Sequence, residues 1–189
     1  MERFSVKTAG RYPVTPSRLC DRMVKTEPGG MAMGKQDKTN CMRVLESKKI
    51  PYTPHLYEAD PTLTGEDIAR LLGENPEQVF KTLVTEGKPR AYYVFIIPVT
   101  GELNLKKAAA AAGEKSVSMI PQRELLPLTG YVHGGCSPIG MKKRFPAFIH
   151  TSASGLDRIF VSAGRVGCQV ELAPSDLMAV AGLSSADLV

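Results

Sequence analysis

The sequence lacks the features of secreted and membrane-spanning proteins. No apolar run approaches the ~20 residues that cross a bilayer, and the N-terminus has no apolar centre of the signal-peptide kind. Its four cysteines, Cys20, Cys41, Cys136 and Cys168, lie far apart and form no C-x-x-C pair. This spacing argues against a disulfide framework or a zinc site and fits a reducing compartment. We therefore expect a cytoplasmic protein that does not enter a membrane.

The common signatures of metal, nucleotide and serine-hydrolase sites are also absent. The three histidines show no H-E-x-x-H spacing, so we predict neither a metal nor a cofactor. No G-x-G-x-x-G or Walker spacing occurs, which argues against binding of dinucleotides and nucleoside triphosphates. His133 and Ser137 invite comparison with serine hydrolases, but no G-x-S-x-G elbow surrounds them.

Excess positive charge is missing from most of the chain. The net charge is +5, but residues 1–49 contain 11 Lys and Arg against 5 Asp and Glu. The other 140 residues contain 13 against 14 and are close to neutral. Overall charge is therefore no evidence for nucleic-acid binding. Two local clusters are either solvated surface or contacts for phosphates, namely Lys106, Lys107, Lys142, Lys143 and Arg144.

Length and composition indicate one domain behind an N-terminal extension. A chain of 189 residues with 43% hydrophobic residues can build one core without disulfides or metal. Residues 1–34 are polar, basic and non-periodic, and we interpret them as a disordered, dispensable extension. Residues 35–189 then form the folded domain.

Local patterns predict many strands and several short helices. We expect helices to begin near Asp37 or Thr39, Thr64, Asn75, Asn104, Pro121 and Ser175. We expect strands over residues 50–57, 79–84, 90–99, 116–120, 146–150, 158–162 and 167–172. The first strand carries two prolines and should lie at an edge, whereas the third should be central. No strict βαβ rhythm is present, so we predict an α/β (α+β) fold in which a mixed, mostly antiparallel sheet curls into a partial barrel with flanking helices.

Two stretches together predict a binding site. Lys81 lies in the apolar run 79–84, where a lysine is either solvated at the strand surface or held in a partly dry cleft that binds a phosphate or carbonyl. Residues 134–140 (Gly-Gly-Cys-Ser-Pro-Ile-Gly) are either a tight turn or a loop whose N–H groups face a ligand. Cys136 and Cys168 are more typical of small apolar core residues than of nucleophiles. Tyr57 is either a core ring or a pocket wall.

Four stretches in fixed order resemble a known family. They are residues 79–83 (Val-Phe-Lys-Thr-Leu), 103–109 (Leu-Asn-Leu-Lys-Lys-Ala-Ala), 130–140 (from Gly-Tyr-Val-His to Ser-Pro-Ile-Gly) and 159–165 (Ile-Phe-Val-Ser-Ala-Gly-Arg). From about residue 35 to the last residue, the chain is similar to the YbaK/EbsC family of Cys-tRNA(Pro) deacylases, relatives of the editing domain of bacterial prolyl-tRNA synthetases. Ala163 and Val166 depart from the family's pattern of a second glycine and a Lys-Arg pair.

The resemblance implies a trans-acting enzyme that removes a wrong amino acid from tRNA without a metal. It places catalytic roles at Lys81, Gly134 and Gly135. It places substrate-binding roles at Tyr57, Thr82 and Ser162 and in the glycine loop, which contains Cys136, Ser137 and Pro138. Gly164 and Gln169 are further candidates for substrate binding, and Cys136 and Gln169 occupy positions that vary among relatives. In the mechanism proposed for the family, the thiol of the mischarged cysteine attacks its own ester and leaves as a thiolactone.

The implied partners are mischarged Cys-tRNA(Pro), with Cys-tRNA(Cys) as a further substrate, and prolyl-tRNA synthetase. Two alternatives stay open. One is a deacylase for another mischarged tRNA such as Ala-tRNA(Pro). The other is a non-catalytic protein that binds tRNA or a synthetase.

Overall fold

The computed structural model describes residues 38–60 and 62–189. The α-helices are α1 Asn40–Ser47, α2 Gly65–Leu72, α3 Leu105–Ala112, α4 Gln122–Thr129 and α5 Pro174–Ala181. The strands are β1 Thr53–Leu56, β2 Val79–Glu86, β3 Tyr92–Pro98, β4 Ser118–Met119, β5 Ala147–His150, β6 Ile159–Arg165, β7 Cys168–Leu172 and β8 Leu183–Ala186. Short 3-10 helices cover Pro76–Gln78 and Thr151–Gly155. The predicted extension, residues 1–34, lies outside the described residues, as does Cys20.

The described strands form one mixed sheet in the order β1-β7-β6-β2-β3-β5-β8, with β4 paired to β2. Four pairings are antiparallel and three are parallel. The predicted fold class is confirmed. As predicted, β1 lies at an edge and β3 lies inside the sheet, because prolines cannot donate to a central ladder. Among the described residues no helix is long and apolar enough to cross a membrane.

The two faces of the sheet pack against different helices. On β2, Phe80 and Val84 face the main core, which also contains α1 and the buried Leu177 of α5. The alternate residues Val79 and Leu83 face the opposite side, where they join smaller clusters with α2 and α3. Successive strand side chains point to opposite faces, so Lys81, between Val79 and Leu83, lies on the side of α2 and α3.

Several elements begin and end where local chemistry predicts. Thr64 caps α2 in a reciprocal capping box with Asp67. Asn104 caps α3 by accepting the N–H groups of residues 106 and 107, and Gly113 ends that helix in the left-handed conformation.

Other element predictions were wrong in detail. On α2, which the sequence predicts to begin near Thr64, Leu71 is 44% exposed, because the small Ala69 is the residue that packs on the sheet. The predicted helix at Asn75 is only a 3-10 turn. The strand expected to end at residue 162 continues to Arg165 through a bulge. Strand β8 was not predicted because its sequence, Leu-Ser-Ser-Ala, has little strand propensity.

The segment after α2 contains a buried carboxylate that lacks a hydrogen-bond partner in the described part of the chain. The Glu74 side chain is 4% exposed, and neither of its oxygens has a hydrogen-bond partner among the described residues. Its oxygen Oε1 lies 3.8 Å from Nδ1 of His55, whose Nε2 is 2.9 Å from Glu171. Burial, and then the charge of Glu171, raise the pKa of Glu74 to about 7.

We predict that Glu74→Gln stabilises the protein at pH 8 but not at pH 4. The pKa of Glu74 is higher in the folded chain than the ordinary value of 4.5. As the pH rises from about 4.5 to above 7, ionisation of Glu74 therefore lowers the free energy of unfolding. Below pH 4.5 the carboxyl is protonated in both states, and this loss of stability is absent. Urea unfolding should show a gain of roughly 1–3 kcal/mol at pH 8 relative to wild type. Glu77→Gln, an exposed neighbour, is the matched control and should show no pH-dependent gain. An equal effect of Glu74→Gln at both pH values would contradict the prediction.

Candidate functional site

Lys81 is a half-buried cation with little of its hydrogen-bonding capacity used. Its Nζ donates to the backbone oxygen of Val99 at 3.2 Å. Burial lowers the pKa of Lys81, while the charges of Glu102 and Glu66 act in the opposite direction. Within residues 38–60 and 62–189 neither carboxylate forms an ion pair with it, and an ammonium has three donors. Lys81 can therefore donate to an incoming oxygen.

Lys81 lies at one end of a row of polar residues that crosses four strands. Phe80 pairs with Val161 in parallel, so Lys81 and Ser162 follow at the next position of each strand. Ser162 pairs with Gln169 on β7, and Gln169 pairs with His55 on β1. We call His55, Gln169, Ser162 and Lys81 the polar row.

The members of the polar row share one face of the sheet. Phe160 belongs to the cluster of Val79 on the side of α2, and Ser162 is two residues further on the same strand. The His55 ring packs edge-on against Phe160, with ring centroids 5.2 Å apart. The row therefore presents a cation, a hydroxyl, an amide and an imidazole on one surface.

Besides Lys81, two members of the polar row can form hydrogen bonds with a ligand. Gln169 is 5% exposed, and its Oε1 has no partner in the described part of the chain. The Ser162 hydroxyl accepts the N–H of Gly164 at 3.4 Å and can still donate. These groups suit the carbonyl, hydroxyl and amino groups of a small polar ligand.

Thr82 and Tyr57 occupy different surroundings from Lys81. Thr82 alternates with Lys81, so its hydroxyl lies on the main-core face, where it is buried without a described partner. The backbone N–H of Tyr57 donates to Gly167 O at 3.0 Å, which places Tyr57 beside the turn between β6 and β7. Burial raises the pKa of the Tyr57 hydroxyl, which is therefore neutral and able to donate.

The second half of the glycine loop is fixed by the core. Ser137 is fully buried, and its hydroxyl accepts the N–H of Ile139 at 3.2 Å. Tyr131 donates its hydroxyl to the backbone oxygen of Ile139 at 2.6 Å. The side chain of Asn40 donates to the oxygen of Gly140 at 2.8 Å. These bonds give Ser137 a structural role in holding the loop.

The first half of the loop packs against the turn between β6 and β7. A Cβ at Gly135 would lie 2.9 Å from the backbone of Arg165 and Val166, so only glycine permits this approach. The N–H of Gly135 is taken by Val132 O at 3.1 Å. The described hydrogen bonds leave the N–H groups of Gly134 and Cys136 without an acceptor.

Lys81 and the glycine loop are connected through β6. In the described part of the chain no hydrogen bond joins them directly. Ser162 follows Lys81 in register, and Arg165, three residues later, contacts Gly135. Gly164, between these two, has a φ of +94° and packs against the ring of Tyr131. The bulge at this point bends β6 from the polar row towards the loop.

The described cysteines are poor nucleophiles. Cys41, Cys136 and Cys168 are buried, and burial raises the pKa of Cys41 and Cys136 to about 12. Burial also raises the pKa of Cys168. No group of three or more metal-ligating side chains occurs in the part of the chain that the structure describes.

The two predicted phosphate clusters lie in different places. Lys107 on α3 pairs with Asp187 at 2.8 Å and donates to the oxygen of Val189. Lys142 packs over Gly130, whereas Lys143 and Arg144 line a cleft that Pro138 and Gly140 also border. His55 and Glu74 were missed by sequence reasoning. The period-2 alternation of β1 could have indicated His55, but the burial of Glu74 depends on tertiary packing.

Comparisons with known proteins agree with these observations. A profile of the aminoacyl-tRNA editing domain matches residues 59–180. The chain is 44% identical over 146 residues to the "Putative Cys-tRNA(Pro)/Cys-tRNA(Cys) deacylase EbsC" of Enterococcus faecalis, covering 77% of this chain and 89% of that protein. It is 26% identical over 96 residues to the proline–tRNA ligase of Thermosipho melanesiensis, covering 51% of this chain and 16% of the ligase.

A solved structure has a similar fold. It is described as a "putative trans-editing enzyme for prolyl tRNA synthetase", and it superposes with a TM-score of 0.69 at 25% identity, covering 79% of this chain and 94% of that one. The resemblance inferred from the sequence is thus confirmed: the chain belongs to the aminoacyl-tRNA editing domain family.

Proposed function

We propose that this chain removes cysteine from mischarged Cys-tRNA(Pro) and Cys-tRNA(Cys), acting in trans. The observation that carries the proposal is the half-buried Lys81 at the end of the polar row, in a chain of the editing family. The related protein EbsC bears the name of this activity. A cation and oriented donors in a partly dry site are the groups that stabilise an ester's developing negative charge.

In the proposed mechanism the substrate supplies the nucleophile. The sulfur of the esterified cysteine attacks its own carbonyl carbon, and the bond from that carbon to the ribose oxygen breaks. The thiol proton passes to the departing ribose oxygen, which leaves free tRNA and a cyclic thiolactone. The buried thiols of Cys41, Cys136 and Cys168 support this route, because a protein nucleophile among the described cysteines would need to ionise.

The chain's own residues then hold the ester in a reactive position. Lys81 donates to the ester or to a terminal phosphate, and the free N–H groups of Gly134 and Cys136 receive the oxyanion. Ser162 and Gln169 position the amino acid or the ribose. Tyr57 and Gly164, near the end of β6, are further walls of the same pocket, whereas Thr82 faces the main core and Pro138 borders a different cleft.

Prolyl-tRNA synthetase is the proposed protein partner. Residues 50–189 are close to neutral, with 13 basic against 14 acidic residues, so isolated binding to tRNA should be weak and sensitive to salt. A synthetase that already holds the tRNA would deliver it. A cytoplasmic location follows from this role.

We predict that Lys81→Ala abolishes turnover. Deacylation of Cys-tRNA(Pro) should fall at least about 100-fold, because the variant loses a preorganised donor to the oxyanion or ester. Binding of tRNA should change little. Lys115→Ala removes an exposed lysine elsewhere and should behave as wild type. Neither wild type nor the variants should deacylate Ala-tRNA(Pro) or Pro-tRNA(Pro). Activity that survives Lys81→Ala, or clearance of alanine, would contradict the mechanism, and absence of any turnover in wild type would favour a binding protein.

We predict that Gly135→Ala impairs the reaction through the loop. The new Cβ must displace the backbone of Arg165 and Val166, so it moves the free N–H groups of the loop relative to β6. We expect a loss of kcat of about 10-fold or more, since a small misplacement of catalytic groups is costly. Gly155→Ala is the matched control, because a Cβ there meets no atom within 4 Å. Equal kinetics of the two folded variants would show that the loop does not contribute.

A further inference from the structure

A cleft of about 410 Å³ lies on the face of the sheet opposite Lys81. Its walls come from α1, the segment after the glycine loop, β5 and the end of α5. Val94 forms part of its floor and belongs to the main core together with Phe80 and Val84, which is the face that Lys81 does not share. The cleft is thus separate from the polar row, and its volume falls in the range of about 300–1,000 Å³ typical of ligand sites.

The rim of the cleft is basic. Lys48, Lys143 and Arg144 line it, and no aspartate or glutamate is among its lining residues. None of the three cations has an ion-pair partner among residues 38–60 and 62–189. Residues 38–189 carry 17 basic and 15 acidic residues, so this cluster is a local excess of positive charge on a nearly neutral body.

The floor of the cleft is apolar and includes an aromatic ring. Val44, Val94, Met141, Phe145 and Val180 contribute apolar surface. Phe145 is half-buried and held edge-on by Tyr92, with ring centroids 6.1 Å apart. A cationic rim around such a floor matches a nucleotide, whose base packs on apolar and aromatic surface while its phosphate meets lysine and arginine.

The end of α5 supplies polar groups for the edge of a base. The last carbonyls of a helix lack intrahelical partners, and residues 179–182 of this helix end border the cleft. Gly182 ends the helix in the left-handed conformation, and its N–H donates to the backbone oxygen of Met178. The remaining carbonyl oxygens are acceptors for the exocyclic amino group of a base.

We propose that this basic cleft binds one unstacked nucleotide of single-stranded RNA. A base reaches the floor only when it is unpaired, so the single-stranded 3′ end of the tRNA is the segment that fits. Identification of that source rests on the proposed function. The glycine loop borders the cleft through Pro138 and Gly140 and contacts β6 through Gly135, so one strand of RNA can follow the loop from one site towards the other.

Fluorescence anisotropy with a labelled single-stranded RNA hexanucleotide ending in CCA tests the proposal. The double variant Lys143→Gln/Arg144→Gln should weaken binding at least about 10-fold near 0.1 M salt and reduce the salt slope by about 0.7 for each phosphate contact that is lost. The matched control Lys115→Gln/Arg158→Gln makes the same change of charge at exposed residues elsewhere and should alter affinity less than about 3-fold. Equal losses in the two double variants would overturn the proposal, because binding would then follow net charge alone.

A second variant tests whether RNA binds inside the cleft itself and not merely near its basic residues. Ala179 is exposed on α5 and lines the cleft, so Ala179→Glu places a carboxylate there and keeps a residue of good helix propensity. It should also lose RNA binding, and binding at wild-type strength would overturn the cleft as the site. AMP should compete with the hexanucleotide and release it, in which case a free nucleotide is a second natural ligand of the cleft. An RNA duplex that binds as tightly as the single strand would contradict entry of an unstacked base.

Kinetics distinguish this proposal from the function on which it rests. With Cys-tRNA(Pro), the cleft variants should raise KM about 10-fold with a much smaller effect on kcat, whereas Lys81→Ala lowers kcat and keeps the affinity for the hexanucleotide. If RNA binds in the cleft but no aminoacyl-tRNA is deacylated, the cleft proposal stands and the proposed function fails. If deacylation proceeds with an unchanged KM in the cleft variants, the cleft proposal fails and the function stands.

Discussion

The sheet depends on a short parallel junction between β2 and β6. Only two residue pairs, Val79 with Phe160 and Phe80 with Val161, join the β1-β7-β6 part of the described sheet to the β2-β3-β5-β8 part. Beyond them β6 bulges away, and β4 pairs with the far end of β2. The polar row crosses the sheet where this junction ends. The alignment of Lys81 with Ser162 therefore relies on the apolar contacts of Val79, Phe160 and Ala69 that hold the two parts together.

The glycine loop holds β6 at a second point. Its second half is bonded to α1 and Tyr131, and its first half lies against the turn after β6. A displacement of β6 would thus move both the serine of the polar row and the free loop amides. This arrangement explains how the proposed site, assembled from three separate chain segments, can keep one geometry, which catalysis by preorganised donors requires.

Sequence reasoning succeeded where the cause is local. The cap at Asn104, the capping box at Thr64 and the left-handed glycines were predictable because each involves neighbouring residues and known backbone preferences. The edge position of β1 followed from its prolines. Strand β8, the continuation of β6 and the burial of Glu74 depend on register and tertiary packing, which no local pattern encodes. Lys81 and the loop were predicted as one site from composition and resemblance, whereas the strand β6 that lies between them was visible only in three dimensions.

The burial of the cysteines has a consequence for the safety of the protein itself. A thiolactone is a thioester and acylates free thiolates, so the proposed reaction releases a compound that can modify proteins. Cys136 sits in the glycine loop, next to the amides assigned to the oxyanion, and would be the nearest target. Its pKa of about 12 keeps it a thiol at neutral pH, and Cys41 and Cys168 are buried as well. Close packing around these sulfurs thus shields the three described cysteines from acylation by the proposed product.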